Sequence, residues 1–260
     1  MLRGLYTAST GMTNEQKRVD VLTNNLANSA TTGYKKEGTT ARSFHDVLAL
    51  KIKDTSEPGA IRKLGAMNLG VKIGENYVDY SQGSFHETGN TFDLALSGKG
   101  FFAVQFANKD GSTSIKYTRD GAFQLNAKGE LVNNNGDYLL DKNGNHIVLD
   151  PLQTYSVNRL GDIIQDGGQG QTLATIQVVD FANYDYLEKY GETYFDTVEG
   201  FQFAQTNAQM YSGYLETSNV QTVREMVELI AFQRAYESNQ KIIQSYDSTL
   251  DKAVNDLGRV

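Results

Sequence analysis

Apolar positions recur every seven residues at both ends of the chain, while a glycine-punctuated pattern of β-forming residues fills the middle. At the start, Leu5, Met12, Val19 and Leu26 stand seven apart, joined by Leu2 and Leu22, with Asn14, Glu15, Lys17, Arg18 and Asp20 between them. This spacing predicts an amphipathic helix with a narrow apolar seam. The helix is expected to stop near Thr31-Thr32-Gly33, where glycine supplies an end and two β-branched residues lower helix propensity.

The other end repeats the theme. Ser218 and Gln221 are spaced as a capping box, and no Pro or Gly follows until Gly258. A helix of about 39 residues and about 58 Å is therefore expected. Leu229, Tyr236, Ile243, Leu250 and Leu257 repeat every seven, with Phe232, Tyr246, Ala253 and Val260 three residues after four of them. Such a run signals a coiled-coil-like seam. Val220, Val223, Val227 and Ile230 form a second apolar stripe, so this half of the helix is expected to touch two neighbours.

Between the ends, turn signals occur at Asn108–Gly111, Thr118–Gly121, Asn126–Gly129, Asn133–Gly136 and Asp141–Gly144. They separate β-forming runs at Phe101–Phe106, Ile115–Tyr117, Glu130–Val132 and Tyr138–Leu140, with further strands expected at Ile163-Ile164 and Ala174–Phe181. One turn every seven to ten residues marks an antiparallel meander. Residues 37–90 are weakly periodic, and Glu57-Pro58-Gly59 reads as a loop. The expected fold class is α+β: terminal helices packed as a coiled-coil-like layer (1–36 and 214–260) around a central antiparallel β-rich domain (37–213).

Charge and composition exclude several functions. The chain has 260 residues, a net charge of -7 and no cysteine, so disulfides and thiolate sites are absent. A pI near 5.0 argues against a nucleic-acid surface. No apolar run approaches the roughly 20 residues needed to span a bilayer, so no membrane insertion is expected. The N-terminus lacks the apolar core and cleavage site of a secretory signal, and any export would use another system. His45, His86 and His146 stand singly, without a second ligand at metal spacing. Asp141-Lys-Asn143-Gly-Asn145 starts like a calcium loop but has His146 and Leu152 where Gly and Glu are needed. Gly167-Gly168-Gln-Gly170 lacks the Lys-Ser/Thr of a phosphate loop. No cofactor, metal site or catalytic activity is expected.

The heptads then become the main functional signal. Pairing of the two helices within one chain would occupy one face of each. The stripe from Val220 to Ile230 would remain exposed, and leftover apolar faces predict intermolecular partners.

The residues also resemble a known family. Asn25-Leu-Ala-Asn28-Ser-Ala-Thr31-Thr-Gly33-Tyr34-Lys35, preceded by Asn24, is similar to the N-terminal motif of bacterial flagellar rod and hook proteins. Thr88–Phe102 resembles their central hairpin, Tyr117-Thr-Arg119-Asp120-Gly121-Ala-Phe123 the turn that follows, and Gly213–Asn239, containing Glu216-Thr-Ser-Asn219, the C-terminal signature. Within the family, length and the Arg-Asp-Gly and Glu-Thr-Ser-Asn blocks look most like the distal rod protein, with proximal rod or hook-type subunits as the alternative. The resemblance implies a homo-oligomer: a hollow helical tube that transmits torque and conducts exported flagellar proteins. Other rod and hook subunits and the type III export apparatus are the implied partners, and the basal body the implied location. Asn24, Asn25 and Asn28 are expected to cap backbone groups at the turn into Gly33. A secreted β-rich binding module with tethering helices is the alternative of another class.

Overall fold

The computed structural model describes residues 2–51, 62–108, 111–165 and 172–257. The expected loops at Glu57-Pro58-Gly59 and Gly167–Gly170 lie outside them, as do Gly258 and Val260. The chain divides into two compact units: residues 1–27, 37–79 and 221–260 form one, and residues 28–36 and 80–220 the other.

The first unit holds both long helices, α1 (Leu2–Ala27) and α2 (Thr222–Leu257). Helix α1 ends six residues before Gly33, because Asn28–Thr31 already form a turn in which the Thr31 N–H donates to the Asn28 carbonyl. Helix α2 starts later than its capping-box spacing predicts. Ser218 Oγ accepts the Val220 N–H, a local turn, and the Gln221 carbonyl accepts the Glu225 N–H that opens the helix. The helices run antiparallel. A Cβ on Gly4 would collide with the Tyr246 ring, a Cβ on Gly11 would come 3.1 Å from Asn239 Nδ2, and the Arg18 guanidinium lies 4.2 Å from the Phe232 ring centre. These meeting points step by seven on both helices.

The weakly periodic stretch after residue 36 is a long antiparallel ribbon in this same unit. Its strands are β1 (Glu37–Ser43), β2 (Val47–Lys51), β3 (Arg62–Met67) and β4 (Val71–Val78). Pairing runs from Glu37↔Val78 to Ser43↔Val71, and resumes from Val47↔Met67 to Lys51↔Arg62. At the junction, the Phe44 N–H donates to the Gly70 carbonyl (2.9 Å) and Asn68 Nδ2 to the Phe44 carbonyl (2.7 Å). Irregularities between Thr39 and Ala41 and between Ala49 and Leu50 break the two-residue alternation, which is why the sequence shows no clear strand period here. Strands β1 and β4 pack on α1.

The second unit is antiparallel β apart from a short 3-10 turn at Tyr184–Tyr186. Its largest sheet, nine-stranded among the described residues, centres on Phe101–Ala107 paired with Thr113–Thr118. The long strand expected at 174–181 is two, Thr172–Thr175 and Val178–Phe181, separated where Ile176 bridges Asp141. Leu94, Leu96, Phe102, Val104, Leu139 and Ile163 lie in the apolar core.

One turn design recurs. At Asn126, Asn133 and Asn158 the side-chain Oδ1 accepts the N–H groups two and four residues on, and the glycine three residues on donates to the asparagine carbonyl. Gly129, Gly136 and Gly161 have φ of 80°, 90° and 88°, a region costly for other residues. Thr118–Gly121 is different. A Cβ on Gly121 would overlap the Leu94 carbonyl, so this glycine permits close strand approach instead of a positive φ.

Candidate functional site

Glu216 lies at the centre of the most concentrated polar arrangement in the second unit. Its side chain is 1% exposed, as is that of Lys35, and Arg119 is 5% exposed. Lys35 Nζ donates to Glu216 Oε1 at 2.6 Å and to the Ser81 carbonyl at 2.8 Å. Arg119 Nη1 donates to Glu216 Oε2 at 3.2 Å, and its Nη2 to the Gly98 carbonyl at 2.7 Å. The Gly83 N–H completes the carboxylate's shell at 2.9 Å. Charges this deeply buried are tolerated only when paired and hydrogen-bonded; here all three are paired, and Arg119 Nε alone among their polar atoms is buried without a partner.

Backbone and neighbouring side chains tighten the same clasp. The Gly33 N–H donates to the Glu216 carbonyl at 2.8 Å. Gly33 has φ of 66°, and a Cβ on it would overlap the Asp120 backbone nitrogen, so both conformation and space demand glycine. Thr32 Oγ1 donates to Asp120 Oδ1 at 2.6 Å, and the Lys36 N–H to Asn219 Oδ1 at 2.8 Å. Tyr34 is fully buried, with Lys189 Nζ 3.9 Å from its ring centre. Three blocks far apart in sequence, Thr32–Lys36, Arg119-Asp120 and Glu216–Asn219, therefore meet at one carboxylate. The chain enters this unit from α1 at Asn28 and leaves it toward α2 at Val220.

Among the described residues of the unit, burial raises Asp120 and the tyrosines Tyr80, Tyr117, Tyr184 and Tyr194 above their ordinary values. Burial pushes the Asp120 carboxyl up from its ordinary value, with the Asp93 charge adding to it, while hydrogen bonds from Thr32 and Ala122 oppose the shift. Tyr194 is pushed up to about 12, first by burial and then by its hydrogen bond to Asp137.

The predicted positions fall as follows. Leu22 is buried, and Leu5, Met12, Val19, Leu26, Leu229, Tyr236, Ile243 and Leu250 are half-buried. The Leu257 side chain lies outside the described residues. Val223, Val227 and Ile230 stand 76%, 62% and 50% exposed, alongside Met226 at 50%. Val220, expected on that stripe, precedes the helix and is buried in the β-rich unit.

Of the three asparagines, Asn24 is exposed and Asn25 is buried. Asn25 Nδ2 donates to the Glu37 carbonyl at 2.8 Å and its Oδ1 accepts the Glu37 N–H at 3.0 Å, joining the end of α1 to the first strand. Asn28 Oδ1 accepts from Thr31 Oγ1 at 3.2 Å, within the turn toward Gly33. Sequence reasoning missed Lys35, Arg119 and Glu216 as a set. The available signal was that each sits in one of the family-like blocks.

Among the described residues, no group of His, Cys, Asp and Glu is arranged to hold a metal ion, and no helix is long and apolar enough to cross a membrane.

Comparison with known proteins accounts for this geometry. Residues 5–35 match the family described as flagella basal body rod protein, residues 95–165 the flagellar hook protein FlgE/F/G D1 domain, and residues 211–257 the flagellar basal body rod FlgEFG protein C-terminal family. The chain is 34% identical to the flagellar basal-body rod protein FlgG of Bacillus subtilis, covering 98% of this chain and 99% of that one. It is 35% identical to FlgG of Agrobacterium fabrum (95% and 96% covered). Identity to the flagellar basal-body rod protein FlgF of Caulobacter vibrioides is 32%, over 100% of both chains. The three charged side chains of the clasp, Lys35, Arg119 and Glu216, lie one in each matched segment, and the chain belongs to the flagellar basal-body rod protein family, on the FlgG-like side.

Proposed function

We propose that the chain is a distal-rod-like structural subunit that polymerises through its terminal helices into a hollow helical tube. The helices form a coiled-coil-like layer: contacts at residues 4 and 246, 11 and 239, and 18 and 232 repeat at the heptad interval, and Leu5, Met12, Val19, Leu22, Leu26, Leu229, Tyr236, Ile243 and Leu250 supply its seam. Identities of 34% and 35% to these FlgG relatives, against 32% to the FlgF relative, favour the distal position over the proximal one.

The observation behind the assembly reading is the stripe Val223, Val227 and Ile230, half or more exposed after the internal pairing is complete. Each such side chain gains about 1.5–3 kcal/mol on full burial, so neighbouring copies offer the missing cover. Head-to-tail contacts that do not close generate an open helical polymer. Such a tube transmits motor torque and leaves a bore for exported flagellar proteins. Its subunits reach the tip through the type III export apparatus and join other rod and hook subunits there.

Electron microscopy and sedimentation of the full chain over a concentration series test this reading. Tubes or helical oligomers are expected at high concentration, and a single particle at every concentration and salt would refute it. Ile243→Asp should abolish polymerisation while the β-rich unit melts as before.

A further inference from the structure

A second uncovered apolar surface lies in the unit that carries the stripe. Between α1 and the ribbon, Arg3, Tyr6, Thr10, Phe44, Val47 and Leu69 line a cavity of about 540 Å³. Tyr6 is 65% and Val47 51% exposed, and Phe44 and Leu69 are also open to solvent. An adjoining cavity of about 250 Å³ shares Thr10 and Phe44 and adds Lys17 and Lys72. Among the described residues, no carboxylate lines either cavity, and the exposed part of residues 222–230 presents no net charge to it, since Arg224 pairs with Glu228 at 3.1 Å and Glu225 is buried. The surface is thus concave, apolar and cationic at its rim. The stripe is a convex helix ridge with apolar residues at i, i+3, i+4 and i+7, the pattern that seats in such grooves.

We infer that the α2 stripe of one copy docks in the α1–ribbon cradle of the next, an inference that rests on the assembly reading above and names its contact. The helix register sets its geometry. Partners sum to 250, so Val227 lies level with residue 23 of α1, while the cradle centres near Tyr6. Seventeen helical residues separate the two levels, about 25 Å at 1.5 Å per residue. One copy cannot seat its own stripe, and a neighbour shifted by about 25 Å along the helix axis can. Because the two faces differ, each docking leaves one cradle and one stripe free, and growth continues.

The absence of cysteine makes the contact directly testable. In a chain carrying both Tyr6→Cys and Val227→Cys, oxidation should give a ladder of covalent multimers. Bridging within one copy is excluded, since a disulfide needs Cα atoms less than about 7 Å apart. Separately, Leu69→Asp and Val227→Asp should each leave the melting temperature unchanged and block growth, while their mixture should give a 1:1 complex that does not elongate. Assembled wild-type material with no ladder in the cysteine variant, or Val227→Asp polymerising like wild type, would overturn the contact and leave the assembly reading standing. A wild type that never assembles would overturn both.

Discussion

Replacing Lys35 by methionine isolates the energetics of the clasp, because the two side chains are similar in length and only the ammonium is lost. Lys35 and Glu216 are each 1% exposed, so the variant leaves the carboxylate in the protein interior with Arg119 and one backbone N–H as its remaining donors. Breaking a buried pair by removing one member costs about 3–5 kcal/mol. For a unit of this size, each kcal/mol lowers the melting temperature by about 2–4 °C, so a drop of about 6–20 °C is expected. The exposed pair Arg42–Glu75, whose side chains are 66% and 71% exposed, is the internal control: Arg42→Met should cost at most about 1 kcal/mol. Calorimetry, with near-ultraviolet circular dichroism reporting on the aromatic-rich β unit, reads both variants. Replacing all three charges, with Lys35→Met, Arg119→Met and Glu216→Leu together, should recover part of the loss, since no unpaired charge then remains buried. If Lys35→Met costs no more than Arg42→Met, the clasp does not hold the chain segments together as described.

Glycine substitutions and pH supply two further checks. Gly33→Ala meets both a positive φ and the Asp120 backbone and should prevent stable folding of the clasp, whereas Gly136→Ala, with φ of 90° and open space around it, should cost only about 1–2 kcal/mol; equal effects in urea denaturation would contradict the close approach at Gly33. Because the folded-state pKa of Asp120 is raised, its protonated form is favoured in the fold, and the associated stability is present below the unfolded value and lost as pH rises through the folded one. Asp120→Asn, which keeps an oxygen for Thr32 and Ala122, should therefore gain on wild type at neutral pH and lose that advantage in acid; a difference independent of pH would rule out the burial effect.

Much of the architecture was legible because it depends on local periodicity. The apolar recurrences at Leu5–Leu26 and Leu229–Leu250 mark two long helices, and the Asn-x-x-Gly turns announce hairpins because glycine is needed at a positive φ. The ribbon was not legible. Its bulges interrupt alternation, and among the described residues its strands pair only within the ribbon, with α1 packed against β1 and β4. The clasp was hidden for another reason: Lys35, Arg119 and Glu216 look like surface charges, since burial of a charge is a property of the distant segments that enclose it. The start of α2 and the end of α1 shifted by a few residues where local turns compete with the helix, a side-chain turn at Ser218 and a backbone turn at Asn28.

Lys35 and Glu216 stand 181 residues apart along the chain. Whichever terminus is synthesised or threaded first, the early half of this lock must wait with its charge in water until the late half arrives. Such long-separation closure slows the final step of maturation. Under the export proposed above, a polypeptide kept pliable in transit and stiffened only at its destination is served by that delay.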